Sequence, residues 1–272
     1  MPIGPLAPIH SAAMPMPAAK GPRSLTIVLP AYNEQSRIGP ALDELFDYLK
    51  DPTRDGLPAA IDVLVVDDGS TDRTAELVNQ RAEAINGGSL ASLRVLEVPH
   101  AGKGSAVKSG MLAATGDIVV FADADMATPP SELPKLIDAL ATADVALGSR
   151  IQPDGSDMRS TQPRYRRLLG GLFHTLASIW VVGEVKDTQC GFKGFTREAA
   201  QDLFARQNVT SIVFDVELIH IARRRGYRLA IVPVRWEDVR GSRMRPGARL
   251  ALKVAWDLFR IPLLHRGVRR RA

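Results

Sequence analysis

Apolar segments alternate with helical patterns through the N-terminal half of the chain. Strand-like apolar runs at 25–29, 61–66, 93–98, 118–121 and 145–147 are separated by segments such as 35–50, 72–85 and 103–114, which have helical periodicity. This alternation is typical of stacked βα units. The first two runs are almost continuously apolar, as expected for parallel strands that are covered on both faces. We therefore predict an α/β domain with a mostly parallel central sheet.

Polar clusters follow four of these predicted strands. They occupy residues 30–34, 67–72, 100–104 and 123–125. In open parallel sheets, ligands bind beyond the carboxyl ends of the strands. The sequence therefore predicts one binding site at this edge of the sheet.

The last of these clusters contains two carboxylates directly after an apolar strand. Asp123 and Asp125 are two positions apart, a spacing that places both side chains on one face of an extended chain. Two such neighbours repel each other unless a cation lies between them. Oxygen ligands of this kind suit a hard divalent ion that holds a substrate diphosphate. Because short Asp-x-Asp motifs are common, this interpretation depends on the other clusters.

Two other clusters have structural alternatives. Residues 70–72 are suited to capping a helix, which leaves Asp68 as the better candidate for ligand binding in that segment. Lys103 lies in a Gly-Lys-Gly segment at the start of a predicted helix, where free amides favour an anion. Val107 stands where the last glycine of a dinucleotide fingerprint would be, so a dinucleotide cofactor is disfavoured.

Composition and charge indicate one catalytic domain with an anionic partner. The chain has 272 residues, a net charge of +5 and a pI near 9.5, and its last residues include Arg266, Arg269, Arg270 and Arg271. A length of this order suits a large single α/β domain. The single cysteine, Cys190, excludes an intrachain disulfide and fits a reducing cytoplasm.

Together these motifs resemble those of family-2 glycosyltransferases with the GT-A fold, over residues 25–245. The resemblance is carried by the segments 28–34 (Val-Leu-Pro-Ala-Tyr-Asn-Glu), 65–72, 102–104 and 123–125. In the second half, segment 187–193 (Asp-Thr-Gln-Cys-Gly-Phe-Lys) together with 214–218, 236–237 and 241–243 resembles the dolichyl-phosphate glucosyltransferase branch. Related mannose synthases typically carry a glutamine where this chain has Ala127, which favours glucose over mannose.

The resemblance implies a nucleotide-sugar pocket for UDP-glucose. Pro30, Tyr32 and Glu34 would line the base and ribose, and Asp68 would accept a hydrogen bond from the uracil imide. In the Asp123-Ala124-Asp125 segment, Asp123 would face the ribose and the metal. Asp125 would bind Mg²⁺ or Mn²⁺, which would stabilise the departing UDP as a Lewis acid.

The resemblance also implies basic groups around the reacting phosphates. Arg150 and Lys193 are the candidates for phosphate contact, and Arg243 stands where the branch usually has lysine. Asp215 has three readings: a base for hydroxyl acceptors, a residue that orients the basic groups, or a cap of the predicted helix 216–225.

The implied reaction is an inverting transfer of glucose to a dolichyl or polyprenyl phosphate. An ionised phosphate can attack without a strong general base, so positioning and charge neutralisation dominate. The alternatives are a GDP-mannose-dependent mannose synthase, a family-2 transferase with a hydroxyl acceptor, and a non-catalytic nucleotide-binding module. Nucleic acid is the least favoured partner, because the positive charge lies on apolar-rich helices.

Two segments suggest contact with a membrane surface at its cytoplasmic face. Residues 1–24 are predicted to form a disordered Pro/Ala-rich tail, and the apolar run 168–185 is too interrupted to span a bilayer. This run follows Arg164, Arg166 and Arg167, and residues 246–272 are predicted to form a basic amphipathic helix. Its main stripe is Leu250, Val254, Leu258 and Ile261, widened by Leu252, Trp256 and Phe259. Such helices lie in the membrane interface; the alternative is packing against the catalytic core or a second copy of the chain.

Overall fold

A seven-stranded sheet with helices on both faces forms the domain. The computed structural model describes residues 24–51, 55–86, 91–158, 185–237 and 248–271. The strands are β1 (Ser24–Ala31), β2 (Ala60–Asp67), β3 (Ala91–Glu97), β4 (Ile118–Ala122), β5 (Val145–Ser149), β6 (Phe192–Thr196) and β7 (Leu229–Pro233). The α-helices in these ranges are α1 (Ile38–Lys50), α2 (Thr74–Ile85), α3 (Lys103–Ala113), α4 (Leu133–Leu140), α5 (Arg197–Arg206), α6 (Phe214–Arg225) and α7 (Ala248–Leu264). The predicted mostly parallel α/β fold is confirmed.

One strand runs against the direction of the others. The sheet order is β3-β2-β1-β4-β6-β5-β7, and β6 pairs antiparallel with both β4 and β5 while the remaining pairs are parallel. Strand β6 therefore begins at the edge where its neighbours end. This reversal brings the segment before β6 next to the end of β4, where the Asp123 amide donates to the Gly191 carbonyl over 3.0 Å.

The core consists of two apolar layers, one on each face of the sheet. Helices α3, α5, α6 and α7 cover one layer, and helices α1, α2 and α4 cover the other. Helix α3 lies especially close to the sheet at Gly110, where a Cβ atom would overlap the methyl groups of Val28 and Val66. This close approach fixes the depth of the helix that begins at Lys103.

Buried polar contacts attach the C-terminal helix α7 to α6. The Glu217 carboxylate lies 2.7 Å from Nε2 of His265 and accepts hydrogen bonds from the backbone amides of Asn208 and Val209. Both side chains are buried. Further along, the Arg271 amide donates to the Arg225 carbonyl over 3.0 Å. The residues that follow α7 therefore run alongside α6 in the same direction.

The apolar stripe predicted for membrane contact is turned inwards. Leu258 and Ile261 are buried, and Val254 packs against the same core layer. The alternative of packing against the catalytic core therefore holds for these three residues. The side chains expected to widen that stripe, Leu252, Trp256 and Phe259, are exposed instead.

Some predicted features lie outside the described residues. They are the N-terminal tail up to residue 23, the segment of Arg164, Arg166, Arg167 and most of the apolar run 168–185, the side chain of Leu250, and Arg243. Ser24, assigned to the tail, is the first residue of β1. Among the described helices, none has the length and apolar character that a bilayer crossing requires.

Replacing Glu217 with alanine is expected to lower the free energy of unfolding by at least about 2–3 kcal/mol, because buried donors lose their acceptor. Urea denaturation followed by circular dichroism measures this change. The matched control is Glu83→Ala at an exposed position of α2, for which we expect a change within about 0.5 kcal/mol. Equal stability of the two variants would contradict the anchoring role of Glu217.

Candidate active site

A pocket opens at the edge where the parallel strands end. It is lined by Pro30, Ala31, Tyr32, Glu34, Asp68, His100, Gly102, Lys103 and Ala106. The rings of Tyr32 and His100 stack with their centroids 4.1 Å apart. The structure thus brings together five residues predicted to bind the nucleotide sugar: Pro30, Tyr32, Glu34, Asp68 and Lys103. A flat aromatic wall of this kind is suited to a nucleobase.

The loop after β1 is braced by the loop after β2. Asn33 has a left-handed φ of 54°, its amide donates to the Ser70 hydroxyl, and its side-chain oxygen accepts from the Thr71 amide. The Glu34 amide donates to the Thr74 hydroxyl over 2.7 Å. Ser70, Thr71 and Thr74 therefore hold the rim of the pocket in shape. This role is structural, but it differs from the helix cap that was the alternative for residues 70–72, because the N-cap residue of α2 is Arg73.

Asp68 is buried and organises the loop that carries His100. Its two carboxylate oxygens accept from the amides of Ala101 and Gly102 at 2.9 and 3.0 Å, and Nδ1 of His100 lies 2.8 Å from Oδ2. Each carboxylate oxygen can accept more than one hydrogen bond. The carboxylate is thus fixed in place at the wall of the pocket.

The two carboxylates of the Asp-x-Asp motif lie beside this pocket. Asp125 accepts a hydrogen bond from the Ala127 amide; Ala124 between the two aspartates is buried and packs into the core. Burial, and then the negative charge of Asp123, raise the pKa of Asp125 above its ordinary value. Gly191 leaves the space that Asp123 fills, because a Cβ atom there would overlap its carboxylate. Two crowded carboxylates of this kind favour a nearby cation.

Lys103 supplies the nearest positive charge to this pair. Its ammonium nitrogen lies 2.5 Å from Oδ1 of Asp123. Burial works against the charged form, but the carboxylates of Asp123 and Asp215 outweigh it and raise the pKa of Lys103. A charged lysine at the start of α3, on the wall of the pocket, can also attract a diphosphate.

Lys193 lies inside the protein. Its side chain is 0% exposed, and its ammonium donates to Asp215 Oδ1 at 2.7 Å and to the Cys190 carbonyl at 2.5 Å. In place of the predicted phosphate contact, the structure shows a buried ion pair, because β6 turns this side chain into the core. The second interpretation of Asp215, as a residue that orients a basic group, agrees with this geometry.

Arg150 is also committed to a carboxylate. Its guanidinium donates to both oxygens of Asp187, at 2.6 and 2.8 Å, and it lies 5.7 Å from the centroid of the Trp236 ring. Burial opposes its charge, yet the hydrogen bonds to Asp187 raise the pKa of Arg150. Arg150 therefore holds the segment before β6 in place, whereas the sequence predicted a phosphate contact. Nearby, burial raises the pKa of the Cys190 thiol to about 12.

Asp123 and Asp125 fit a divalent cation as two ligands of a shared site. The described residues contain no cluster of three or more side-chain ligands. The remaining positions of an oxygen-coordinated Mg²⁺ or Mn²⁺ would fall to substrate phosphates and water, as is usual where Mg²⁺ acts with a nucleotide. The raised pKa of Asp125 and the space reserved by Gly191 are the observations that favour a cation here.

Comparison with known proteins places the chain in a family. The family model described as "Glycosyl transferase family 2" matches residues 26–204. The chain belongs to this family. Within glycosyl transferase family 2, it is 39% identical over 262 residues to dolichyl-phosphate beta-glucosyltransferase ALG5C of Trichomonas vaginalis, covering 93% of this chain and 75% of that one. It is 32% identical to the dolichyl-phosphate beta-glucosyltransferase of Homo sapiens, covering 82% and 70%.

A glucosyltransferase of known structure has a similar fold. Glucosyl-3-phosphoglycerate synthase from Mycobacterium tuberculosis, crystallised with Mn²⁺, UDP and glucosyl-3-phosphoglycerate, aligns with a TM-score of 0.58 and 26% identity. The alignment covers 90% of this chain and 81% of that one. The predicted resemblance to family-2 glycosyltransferases of the dolichyl-phosphate glucosyltransferase branch, and the predicted enzyme class, are confirmed.

Three residues at the site were not singled out from the sequence. His100 forms half of the aromatic wall, Asp187 holds Arg150, and Gly191 makes room for Asp123. Asp187 and Gly191 stand in the segment that resembles the glucosyltransferase branch, which was the available signal for them. For His100 the signal was its position in a polar cluster after a strand.

Gly191→Ala is expected to weaken UDP binding in the presence of Mn²⁺ by at least about tenfold, because the new methyl group displaces Asp123. Isothermal titration calorimetry measures this affinity. The matched control is Gly267→Ala, since a Cβ atom there meets nothing within 4 Å. If Gly191→Ala bound UDP as the control does, Gly191 would have no role in placing Asp123.

Lys193→Met is expected to lower the free energy of unfolding by about 3–5 kcal/mol, because Asp215 remains buried without its partner. The double variant Lys193→Met/Asp215→Asn removes that charge and should regain part of the stability in urea denaturation. A direct phosphate contact would give the opposite pattern: weaker UDP binding, unchanged stability and no rescue by the second substitution.

Proposed function

We propose that this protein transfers glucose from UDP-glucose to a dolichyl or polyprenyl phosphate, releasing UDP. The observation that carries the proposal is the 39% identity to a dolichyl-phosphate beta-glucosyltransferase across 93% of this chain. Such coverage includes the segments that build the pocket and the carboxylate pair. The UDP and Mn²⁺ bound by the structural relative support a uridine nucleotide and a divalent cation as ligands of this pocket.

In this proposal, the pocket binds the donor through its base and its diphosphate. The stacked rings of Tyr32 and His100 offer a surface for the uracil ring. Asp68 is held in the wall with capacity to accept one more hydrogen bond, which suits the imide of uracil. Lys103, which lines the pocket and contacts Asp123, would attract the diphosphate with its positive charge.

Asp123 and Asp125 would hold the cation, Mg²⁺ or Mn²⁺, next to that diphosphate. When bound, the cation supplies a Lewis acid that stabilises the charge on departing UDP. An oxygen of the acceptor phosphate forms the new bond to the anomeric carbon as the bond to UDP breaks, which turns an α-linked donor into a β-linked product. The acceptor oxygen carries its own negative charge, so no proton has to be removed from it.

The buried pair of Lys193 and Asp215 supports this reaction in preference to one with a hydroxyl acceptor. A hydroxyl acceptor requires a base within reach of its proton. Asp215 is buried, and its carboxylate is already paired with the ammonium of Lys193. An acceptor that is already ionised requires no such base, and the acceptor phosphate would meet the cation and Lys103.

Location follows from the acceptor in this proposal. A polyprenyl phosphate resides in a bilayer, and a nucleotide sugar is supplied from the cytoplasm. We therefore expect the protein at the cytoplasmic face of a membrane as a peripheral protein.

Asp125→Ala is expected to abolish UDP release from UDP-glucose while leaving the melting temperature within a few degrees of the unaltered protein. The assay uses purified protein, Mg²⁺ or Mn²⁺ and a short polyprenyl phosphate, with GDP-mannose as competing donor. The matched control is Asp47→Ala on the exposed face of α1, which should retain full activity. Activity of Asp125→Ala would remove this carboxylate from the reaction, and release from GDP-mannose would indicate a mannose synthase.

A further inference from the structure

Most of the large apolar side chains that are exposed in the described part of the chain lie on α7. Seven large apolar side chains are exposed among the described residues. Five of them lie on α7: Leu252, Trp256, Phe259, Leu263 and Leu264. Leu252 is 72% exposed and Trp256 61%. Exposed apolar patches on this scale usually mark a site of interaction.

These side chains form a continuous stripe along the helix. Leu252, Trp256, Phe259 and Leu263 are separated by four, three and four positions, which places them on one face. The rings of Trp256 and Phe259 lie with their centroids 6.1 Å apart. We call these four residues the outer stripe. The inner face of the same helix packs on the core, so the outer stripe is not needed to hold the helix in place.

The charge around the outer stripe favours an anionic partner. Residues 248–271 contain seven lysines and arginines and one acidic residue, Asp257, which is buried. Lys253, Arg266, Arg269 and Arg270 are exposed. A second copy of this chain would bring two such positive surfaces together, and nucleic acid would leave the outer stripe uncovered. A bilayer with anionic lipids satisfies both the apolar stripe and the positive charge.

Specific contacts connect the outer stripe to the pocket. Asp257, next to Trp256, accepts a hydrogen bond from the Ser211 hydroxyl over 2.6 Å. The preceding Thr210 accepts from the amide of Gly104 over 3.0 Å, and Gly104 follows Lys103 of the pocket. The middle of α7 is therefore connected, through residues 210 and 211, to the start of α3 at the pocket.

We infer that the outer stripe of α7 is the surface by which the protein lies on an anionic membrane, with the pocket beside the lipid headgroups. The inference rests on the proposed function in one respect: membrane binding would bring the pocket to an acceptor phosphate at the bilayer surface. The four apolar side chains enter the interface and the exposed basic side chains contact lipid phosphates.

Vesicle co-sedimentation of the full chain without donor tests the inference. We expect binding to vesicles of phosphatidylcholine mixed with phosphatidylglycerol, weaker binding to phosphatidylcholine alone, and weakening by salt. Trp256→Ser/Phe259→Ser should lower the partition coefficient at least about tenfold, since two large apolar side chains are removed from the interface. The matched control is Ile231→Ser, which alters an exposed apolar residue of β7 and should leave binding unchanged.

Several outcomes would overturn the inference. The first is that the unaltered protein does not bind vesicles, and the second is that the double variant binds them equally well. The third is that the unaltered protein sediments as a dimer and the double variant as a monomer, which would make a second copy of the chain the partner of the outer stripe. Circular dichroism should show the same melting temperature for the double variant and the control.

A parallel assay separates this inference from the proposed function. UDP release is measured with a short, water-soluble polyprenyl phosphate and no vesicles, for which the outer stripe is not required. Release without vesicle binding would refute only the membrane surface. Vesicle binding without release would refute only the proposed transfer.

Discussion

A buried ammonium group determines how the catalytic edge is built. Lys193 is enclosed completely, and moving such a charge out of water costs several kcal/mol unless it is well compensated. Its compensation comes from Asp215 at the start of α6 and from the Cys190 carbonyl just before β6, while the Phe121 ring at the end of β4 lies 5.3 Å away. Strand β4, strand β6 and helix α6 therefore meet around this ammonium group.

Two lysines at this edge have opposite surroundings and hence different uses. Lys193 is buried and paired with Asp215, so its charge stabilises the fold. Lys103 lies on the wall of the pocket and touches the same carboxylate that would hold a cation. The first lysine fixes the positions of the elements that surround the second. The buried Lys193 thus supports the position of Lys103, the lysine that lines the pocket.

The amount that the sequence could predict differs between the two halves of the chain. Strands such as β1 and β2 are apolar on both faces, so their pattern is clear without further context. Strand β6 contains a lysine and a glycine within five residues, and nothing in its pattern indicates that it runs against its neighbours. Lysine is seldom buried without a partner, and the partner of Lys193 is 22 residues away. Its role therefore required the structure.

The C-terminal helix shows the same limit in another form. Its sequence contains two apolar stripes, and periodicity alone does not tell which of them faces the core. In the structure, the orientation of the helix is linked to a buried polar contact between His265, just after its end, and Glu217. That contact fixes the rotation of the helix, turning Leu258 inwards and Trp256 outwards.

Gly110 has a consequence for the site although it carries no functional group. Because Gly110 has no side chain, α3 can lie directly against Val28 and Val66. Lys103 is in the first turn of the same helix, so its distance from the sheet depends on the packing of Gly110, two turns away. The position of the Lys103 ammonium therefore depends on the absence of a methyl group at Gly110. In this sense a residue of the apolar core is part of the architecture of the active site.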